Sequence, residues 1–231
     1  MIHQLIFAHA KPGMSEQEFQ DYWLNVHAVK YASKIPQIKR YMIDLRIPFG
    51  PEPADPLFQG VAEIWLENEA EQLASLQSKE FVEGARIDEP RWAAFWRTVA
   101  LDTNAHVMLE GPQPAKDSKM VKLLVMVKRK EGVALEKFRS YSLESHAPLV
   151  LKLPGLRRYL QCHVRDSYYA IGEALLDCVS QLYFDDRQAL EAAVKSAEYA
   201  DYERDLANFV NPKYMHTMAT DEHWVIGPES R

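Results

Sequence analysis

Lys11-Pro12-Gly13, followed by Phe19, Tyr22, Leu24, His27 and Ala28, recurs as Lys130-Glu131-Gly132, followed by Phe138, Tyr141, Leu143, His146 and Ala147. The offset is constant at 119 residues (11 to 130, 27 to 146). At an offset of 118, Pro36 meets Pro154, Arg40-Tyr41 meets Arg158-Tyr159, and Trp65-Leu66 meets Tyr183-Phe184; at 117, His106-Val107 meets His223-Trp224. A solenoid unit spans roughly 20–50 residues, so this period is too long for one. It is the length of a small domain, and the chain reads as a tandem duplication. The expected division is a first half over 1–110, a linker over 111–119 and a second half over 120–231. Each half is long enough to bury a modest core of its own.

Composition narrows the class. With 47% hydrophobic and 26% charged residues the 231-residue chain reads as soluble and globular. A net charge of −6 gives no basic face for nucleic acid. No apolar run approaches the roughly 18 residues of a membrane span. The chain opens on a strand-like segment, Ile2–Ala8, without the basic and apolar regions of a signal peptide. Cys162 and Cys178 are too few for a disulfide scaffold, so a reducing cytoplasm is expected.

Both halves read strand, helix, strand, strand, helix, strand. Ile2–Ala8 and Val121–Lys128 are first strands rich in Val, Ile, Leu and Phe. Ser15-Glu16-Gln17-Glu18 is a capping box, after which Phe19, Tyr22, Trp23 and Val26 repeat at helical spacing. Pro36 and Pro154 stop the first helices, ahead of strands Arg40–Arg46 and Arg158–Val164. A loop with four prolines between Pro48 and Pro56 leads to strand Val61–Leu66; Asp166-to-Gly172 replaces it before Val179–Phe184. Asn68 caps a second helix expected through Phe81, and Asp186 opens its counterpart. Fourth strands are expected at Ala105–Leu109 and Glu222–Ile226, with the linker's Pro112 and Pro114 between the halves. This order is the ferredoxin-like split β-α-β unit, an α+β fold with helices on one sheet face. Two such halves can cover each other, sheet to sheet, as a barrel within one chain.

At this point the residues resemble a known family. Lys130-Glu131-Gly132, Phe138, Tyr141, His146-Ala147-Pro148-Leu149 and Pro154-Gly155-Leu156-Arg157-Arg158-Tyr159 follow one pattern. Lys11-Pro12-Gly13-Met14-Ser15, Glu18-Phe19, Tyr22-Trp23, His27-Ala28 and Val61-Ala62-Glu63-Ile64-Trp65 follow the same one. They are similar to the EthD family of dimeric α+β barrel proteins, over nearly the whole chain, as two fused copies. The resemblance implies a ferredoxin-like barrel and, in members tied to reactions, cofactor-free work on small organic molecules such as ethers, other xenobiotics and polyketides. Fold alone assigns no function. The halves depart from the pattern in complementary ways: Val29 and Gln37 stand for Pro and Gly in the first, Ser142 for Trp in the second, with Gln181 where the first has Glu63.

His27 and His146 are the leading candidates. Stepping about 100° per residue from Phe19 puts His27 at the edge of a buried stripe. An imidazole exchanges protons near neutrality and suits general acid–base work; the alternative is a structural His tying the helix end to a loop. Period-two alternation puts Val61, Glu63 and Trp65 on the face away from Ala62, Ile64 and Leu66, so Glu63 should point away from the helices. It is an acid/base candidate or one member of a structural pair. Tyr159, Gln161 and His163, with Gln181 and Tyr183, suggest a polar, aromatic-lined cavity, or else an ordinary barrel interface. Tyr22, Trp23 and Tyr141 complete the expected substrate-binding set. Trp92, Phe95 and Trp96 read as core packing or else as a lid over the barrel mouth, with Phe209 the counterpart of Trp92.

No phosphate loop, nucleotide fingerprint or G-x-S-x-G occurs. The eight His show no H-x-x-x-H or H-E-x-x-H spacing, so neither metal nor cofactor is expected. The reading is a cofactor-independent lyase or isomerase acting on a small, largely apolar, oxygenated molecule. The alternative is a non-catalytic binding or accessory protein of a catabolic pathway. Haem binding is a third class, which would require an axial His facing a cavity. Expected partners are the small molecule and, as an open possibility, a second copy of the fused pair; neither nucleic acid nor a membrane is expected. Because Ser142 and Ser145 stand where the first half has Trp23 and Val26, an open pocket is expected beside His146.

Overall fold

The computed structural model describes residues 1–112, 115–170 and 172–231. Gln113 and Pro114 of the expected linker, and Ile171 of the Asp166-to-Gly172 loop, lie outside the described residues. The first half comprises β1 (Ile2–Ala8), α1 (Glu16–Tyr22, continuing through Trp23–His27 and Ala28–Lys30), β2 (Arg40–Arg46) and β3 (Gly60–Leu66). It continues with α2 (Glu69–Gln77), α3 (Glu80–Ala85 and Arg86–Asp88) and β4 (Val99–Leu109). The second comprises β5 (Val121–Arg129), α4 (Leu135–Tyr141, continuing through Ser142–His146 and Ala147–Val150) and β6 (Leu156–Val164). After it come β7 (Cys178–Phe184), α5 (Arg187–Val194), α6 (Ala197–Phe209) and β8 (Val210–Ile226). Each half therefore runs in the ferredoxin-like order. The hydrogen-bonded strand order is β4-β1-β3-β2 in the first half and β5-β7-β6 in the second.

Local chemistry explains the starts and stops. Ser15 and Glu18 form the expected capping box at α1, and Asn68 and Asp186 cap α2 and α5 through their side chains. The second helix of the first half stops at Gln77, short of the expected Phe81. Ser78 breaks it and its hydroxyl accepts from the Phe81 N–H, starting α3 anew. The fourth strands are far longer than expected, beginning at Val99 and Val210 rather than at Ala105 and Glu222. Two compact units result, one chiefly Met1–Thr103 with Asp221–Arg231, the other chiefly Lys119–Thr220 with the end of β4 from Asn104.

In the first unit Phe19 and Trp23 of α1 pack with Trp92 against Tyr41, Ile43, Ala62 and Ile64 of the sheet. Gly60 is required here: a Cβ would lie 2.9 Å from the Trp23 ring and 2.9 Å from the Asp44 carbonyl oxygen. In the second unit Ser142 replaces Trp23, and the position of Gly60 carries Cys178 (60 to 178). Cys162 pairs across from Val179 and Cys178 from His163, so the thiols occupy opposite sheet faces and cannot bridge. Burial pushes the Cys178 thiol up to about 12.

Candidate active site

Each His sits at the end of a widened turn. Residues Trp23–His27 and Ser142–His146 form π-helical turns within α1 and α4. A π turn advances fewer degrees per residue than an α turn, which undoes a wheel drawn at 100°. His27 and His146 are accordingly 6% and 3% exposed, deeper than the stripe edge expected for them.

An aspartate meets each ring. His27 Nδ1 lies 2.9 Å from Asp88 Oδ2, and His146 Nδ1 lies 2.7 Å from Asp205 Oδ2. The hydroxyl of Tyr22 donates to Asp88 at 2.8 Å and that of Tyr141 to Asp205 at 2.7 Å. Trp92 and Phe209 face the two imidazoles at 4.7 and 4.9 Å between ring centres. Asp88, Arg91 and Trp92 correspond to Asp205, Asn208 and Phe209 at the same offset of 117 as the His106 repeat (88 to 205). That coincidence was the sequence signal for the aspartates. The copies differ in one neighbour: Arg91 lies 3.6 Å from Asp88, whereas Asn208 donates to Asp205 at 3.0 Å.

The electrostatics define a protonation state. Burial holds both imidazoles below the ordinary histidine value, with the aspartates pulling only partly back. Burial also pulls Asp205 upward, but hydrogen bonds from His146, Tyr141 and Asn208 outweigh it and its carboxyl lies below the usual range. Each ring is thus neutral near pH 7, with Nδ1–H donating to a carboxylate and the lone pair on Nε2. Among the described residues Nε2 of neither ring has a hydrogen bond, nor is it among the buried atoms lacking a partner. A carboxylate-fixed imidazole with an unbonded Nε2 can accept or return a proton.

Other expected residues take different places. Tyr22 and Tyr141 spend their hydroxyls on the aspartates, and Trp23 lies in the apolar core. Tyr159, Gln161 and His163 do not share a face with Gln181 and Tyr183, which corrects the single cavity expected from them. Gln181 pairs across from Leu160, and Tyr159 from Leu182, so the two sets point to opposite sides of the β6–β7 ladder. The first set meets α4: Ser142 Oγ donates to Gln161 Oε1 at 2.5 Å, and the Gln161 amide donates to Ser142 O and the Tyr159 hydroxyl. Ser142 is therefore buried in a polar network, and Ser145 is exposed. His163 lies 3.0 Å from Gln161 Oε1 beside His106; burial, then His106 and Arg139, bring it down to about 3.

Glu63 lies on the face opposite the helix-packed Ala62, Ile64 and Leu66, as alternation requires. Its Oε2 lies 2.6 Å from His3 Nε2, and His3 stacks on Trp65. Asp44, Glu63 and Glu222 each bring a carboxylate oxygen within 4.8 Å of the others, and all three are buried. Such hard oxygen donors are the set that could hold a magnesium- or calcium-like ion, and a search for His spacing passes over it. The second unit has Lys122, Cys162, Gln181 and Tyr183 where the first has His3, Asp44, Glu63 and Trp65. Among the described residues no helix is long and apolar enough to cross a membrane.

Known structures share the architecture. An anthrone oxidase-like protein superposes with a TM-score of 0.66 at 10% identity, covering 96% of this chain and 92% of its own. A candidate monooxygenase from Lactobacillus acidophilus NCFM gives 0.55 at 14% identity, covering 100% and 97%. These likenesses establish the fold. An ethyl tert-butyl ether D (EthD) family protein from Bacillus halodurans C-125 is 26% identical over 44% of this chain and 97% of its own, with a TM-score of 0.38. No curated protein matches the chain. The family model described as EthD domain matches twice, over residues 11–95 and 130–213. The chain belongs to the EthD domain family and carries two copies of that domain in tandem.

Proposed function

We propose that the chain is an enzyme of lyase or isomerase type that moves a proton on a small, largely apolar, oxygenated molecule, with His146 and His27 as proton carriers and no cofactor. The observation that carries this reading is the His–Asp pair found in both units, with Nδ1 held by the carboxylate and Nε2 without a hydrogen bond among the described residues. In the proposed step Nε2 takes a proton from an activated C–H or O–H of the substrate. The adjacent carboxylate stabilises the imidazolium, which then returns the proton to the leaving oxygen or to a second carbon. Asp88 and Asp205 are positioning residues, and the tyrosines position them in turn. Glu63, beside His3, is proposed as a second acid/base group of the first unit.

One observation favours the alternative, a binding or accessory protein: the same bonds fasten α1 to α3, and α4 to α6, whether or not a proton moves. The test screens hydroxylated aromatic and keto compounds for binding and turnover by the wild type and by a His27→Ala/His146→Ala double variant. Loss of turnover with affinity retained supports the enzyme. Binding without turnover in the wild type supports the alternative, and undiminished turnover in the double variant overturns the assignment of these histidines.

A further inference from the structure

His9, the residue after β1, sets both ring nitrogens against acceptors. Nδ1 lies 2.9 Å from the Ala10 carbonyl oxygen and Nε2 lies 2.8 Å from Asp55 Oδ1. A neutral imidazole has one N–H and can serve only one of them; the doubly protonated ring serves both. The ring is buried while Asp55 is exposed, in the proline-rich loop between β2 and β3.

The second unit builds the same junction with fixed charge. Lys128 occupies the place of His9 (9 to 128) and Glu173 that of Asp55 (55 to 173). Lys128 Nζ lies 2.7 Å from Glu173, with Arg129 on the same carboxylate at 2.6 Å. The neighbouring backbone confirms the equivalence. Ala10 N–H donates to Gln59 Oε1 at 2.8 Å, and Arg129 N–H donates to Asp177 Oδ2 at 2.7 Å, again at offsets of 119 and 118. Each unit therefore fastens the loop after its second strand to the end of its first strand through a basic side chain and a carboxylate. Only the first uses an imidazole, a side chain that can carry or lose its charge, where the second uses a lysine.

We propose that His9 and Asp55 form a pH-sensitive clasp, closed when the imidazole is doubly protonated and loosened as it loses a proton. The charged groups around it fit. Arg97 Nη1 lies 3.2 Å from Asp55 Oδ2 and Nη2 donates to Pro56 O, so part of the attachment survives when His9 is neutral. Arg46 anchors the loop's other side through Glu16 and Glu52. The His9 bond holds the Asp55 carboxyl below its usual range, so the acid stays charged while the imidazole titrates. The clasp is thus closed below the imidazole titration and above that of the carboxylate. Its release loosens the loop that ends in Phe58, packed on Phe7.

Hydrogen–deuterium exchange of the full chain at about pH 5.5 and about pH 8, values bracketing an ordinary imidazole, tests this once intrinsic rates are corrected. The loop bearing Glu173 is the internal reference. Protection of residues 48–56 should fall about three- to fivefold at the higher pH, the scale of one exposed charge pair. The Glu173 loop should not respond. His9→Lys should abolish the response, and Asp55→Asn should leave the loop weakly protected at both pH values. A flat wild-type response, or one that persists in His9→Lys, overturns the clasp. If His9→Lys loosens β1 and β3 as well, Asp55→Asn in the exposed loop decides: a pH response that survives it overturns the proposal.

Discussion

Asp88 and Asp205 turn two otherwise ambiguous histidines into groups of defined tautomer. Replacing Asp205 by Asn, and Asp88 likewise, leaves the shape but presents an amide to Nδ1, favouring the tautomer with its proton on Nε2. Turnover on any substrate found should fall about 10²- to 10⁴-fold while binding is kept, measured as kcat against KM. An undiminished kcat in the double Asp→Asn variant would rule out the proposed proton carrier. Because burial depresses both imidazoles, a reaction that needs the neutral ring should gain activity with rising pH through an inflection below about 6.5 and stay flat above it. Stability follows the same sign. The folded values of His27, His146 and His163 lie below the unfolded one of about 6.5, so the unfolded chain binds more protons as pH falls beneath it. The contribution is complete above about pH 6.5 and declines below it, on toward about 3 for His163. Urea midpoints at about pH 7.5 and 5 should show the decrease, and removing these histidines should flatten it.

At the scale of elements, the α1–sheet contact of the first unit rests on a large ring against a missing side chain. Gly60→Ala should destabilise by about 1–3 kcal/mol, since its methyl meets both the indole and a backbone carbonyl. Combined with Trp23→Ser, which imitates Ser142 of the second unit, the cost should be less than additive. A double-mutant cycle in urea with no coupling would show that the two positions do not share the space. The starts of α1, α2 and α5 were legible because their caps lie within a few residues. The Ser78 break was less so, because Asn68-to-Phe81 reads as one helix until the serine's own hydrogen bonds are seen. The face of Glu63 followed from alternation alone. The division between Tyr159, Gln161, His163 and Gln181, Tyr183 did not, because it depends on cross-strand register.

At the scale of the molecule, the two compact units do not end where the repeat ends. The end of β4 from Asn104 lies with the second unit and Asp221–Arg231 with the first. A fragment spanning residues 120–231 therefore lacks a strand segment of its own unit and carries one that packs elsewhere. It should self-associate or precipitate, as sedimentation would show; a stable, folded monomer would contradict this.

The 119-to-117 offsets, the cap residues and the period-two alternation determined by themselves that this chain is a duplicated βαββαβ fold, because each signal is local or repeats at fixed spacing; the motifs that resemble the EthD family agree with the two matches of its domain. They also marked His27, His146 and Glu63. What joins those residues to chemistry lies 59 to 61 residues away along the chain: Asp88 for His27, Asp205 for His146, His3 for Glu63. Only the tertiary structure decided these pairings, because hydrogen bonds depend on distances of a few ångströms in space and separation along the sequence does not encode them.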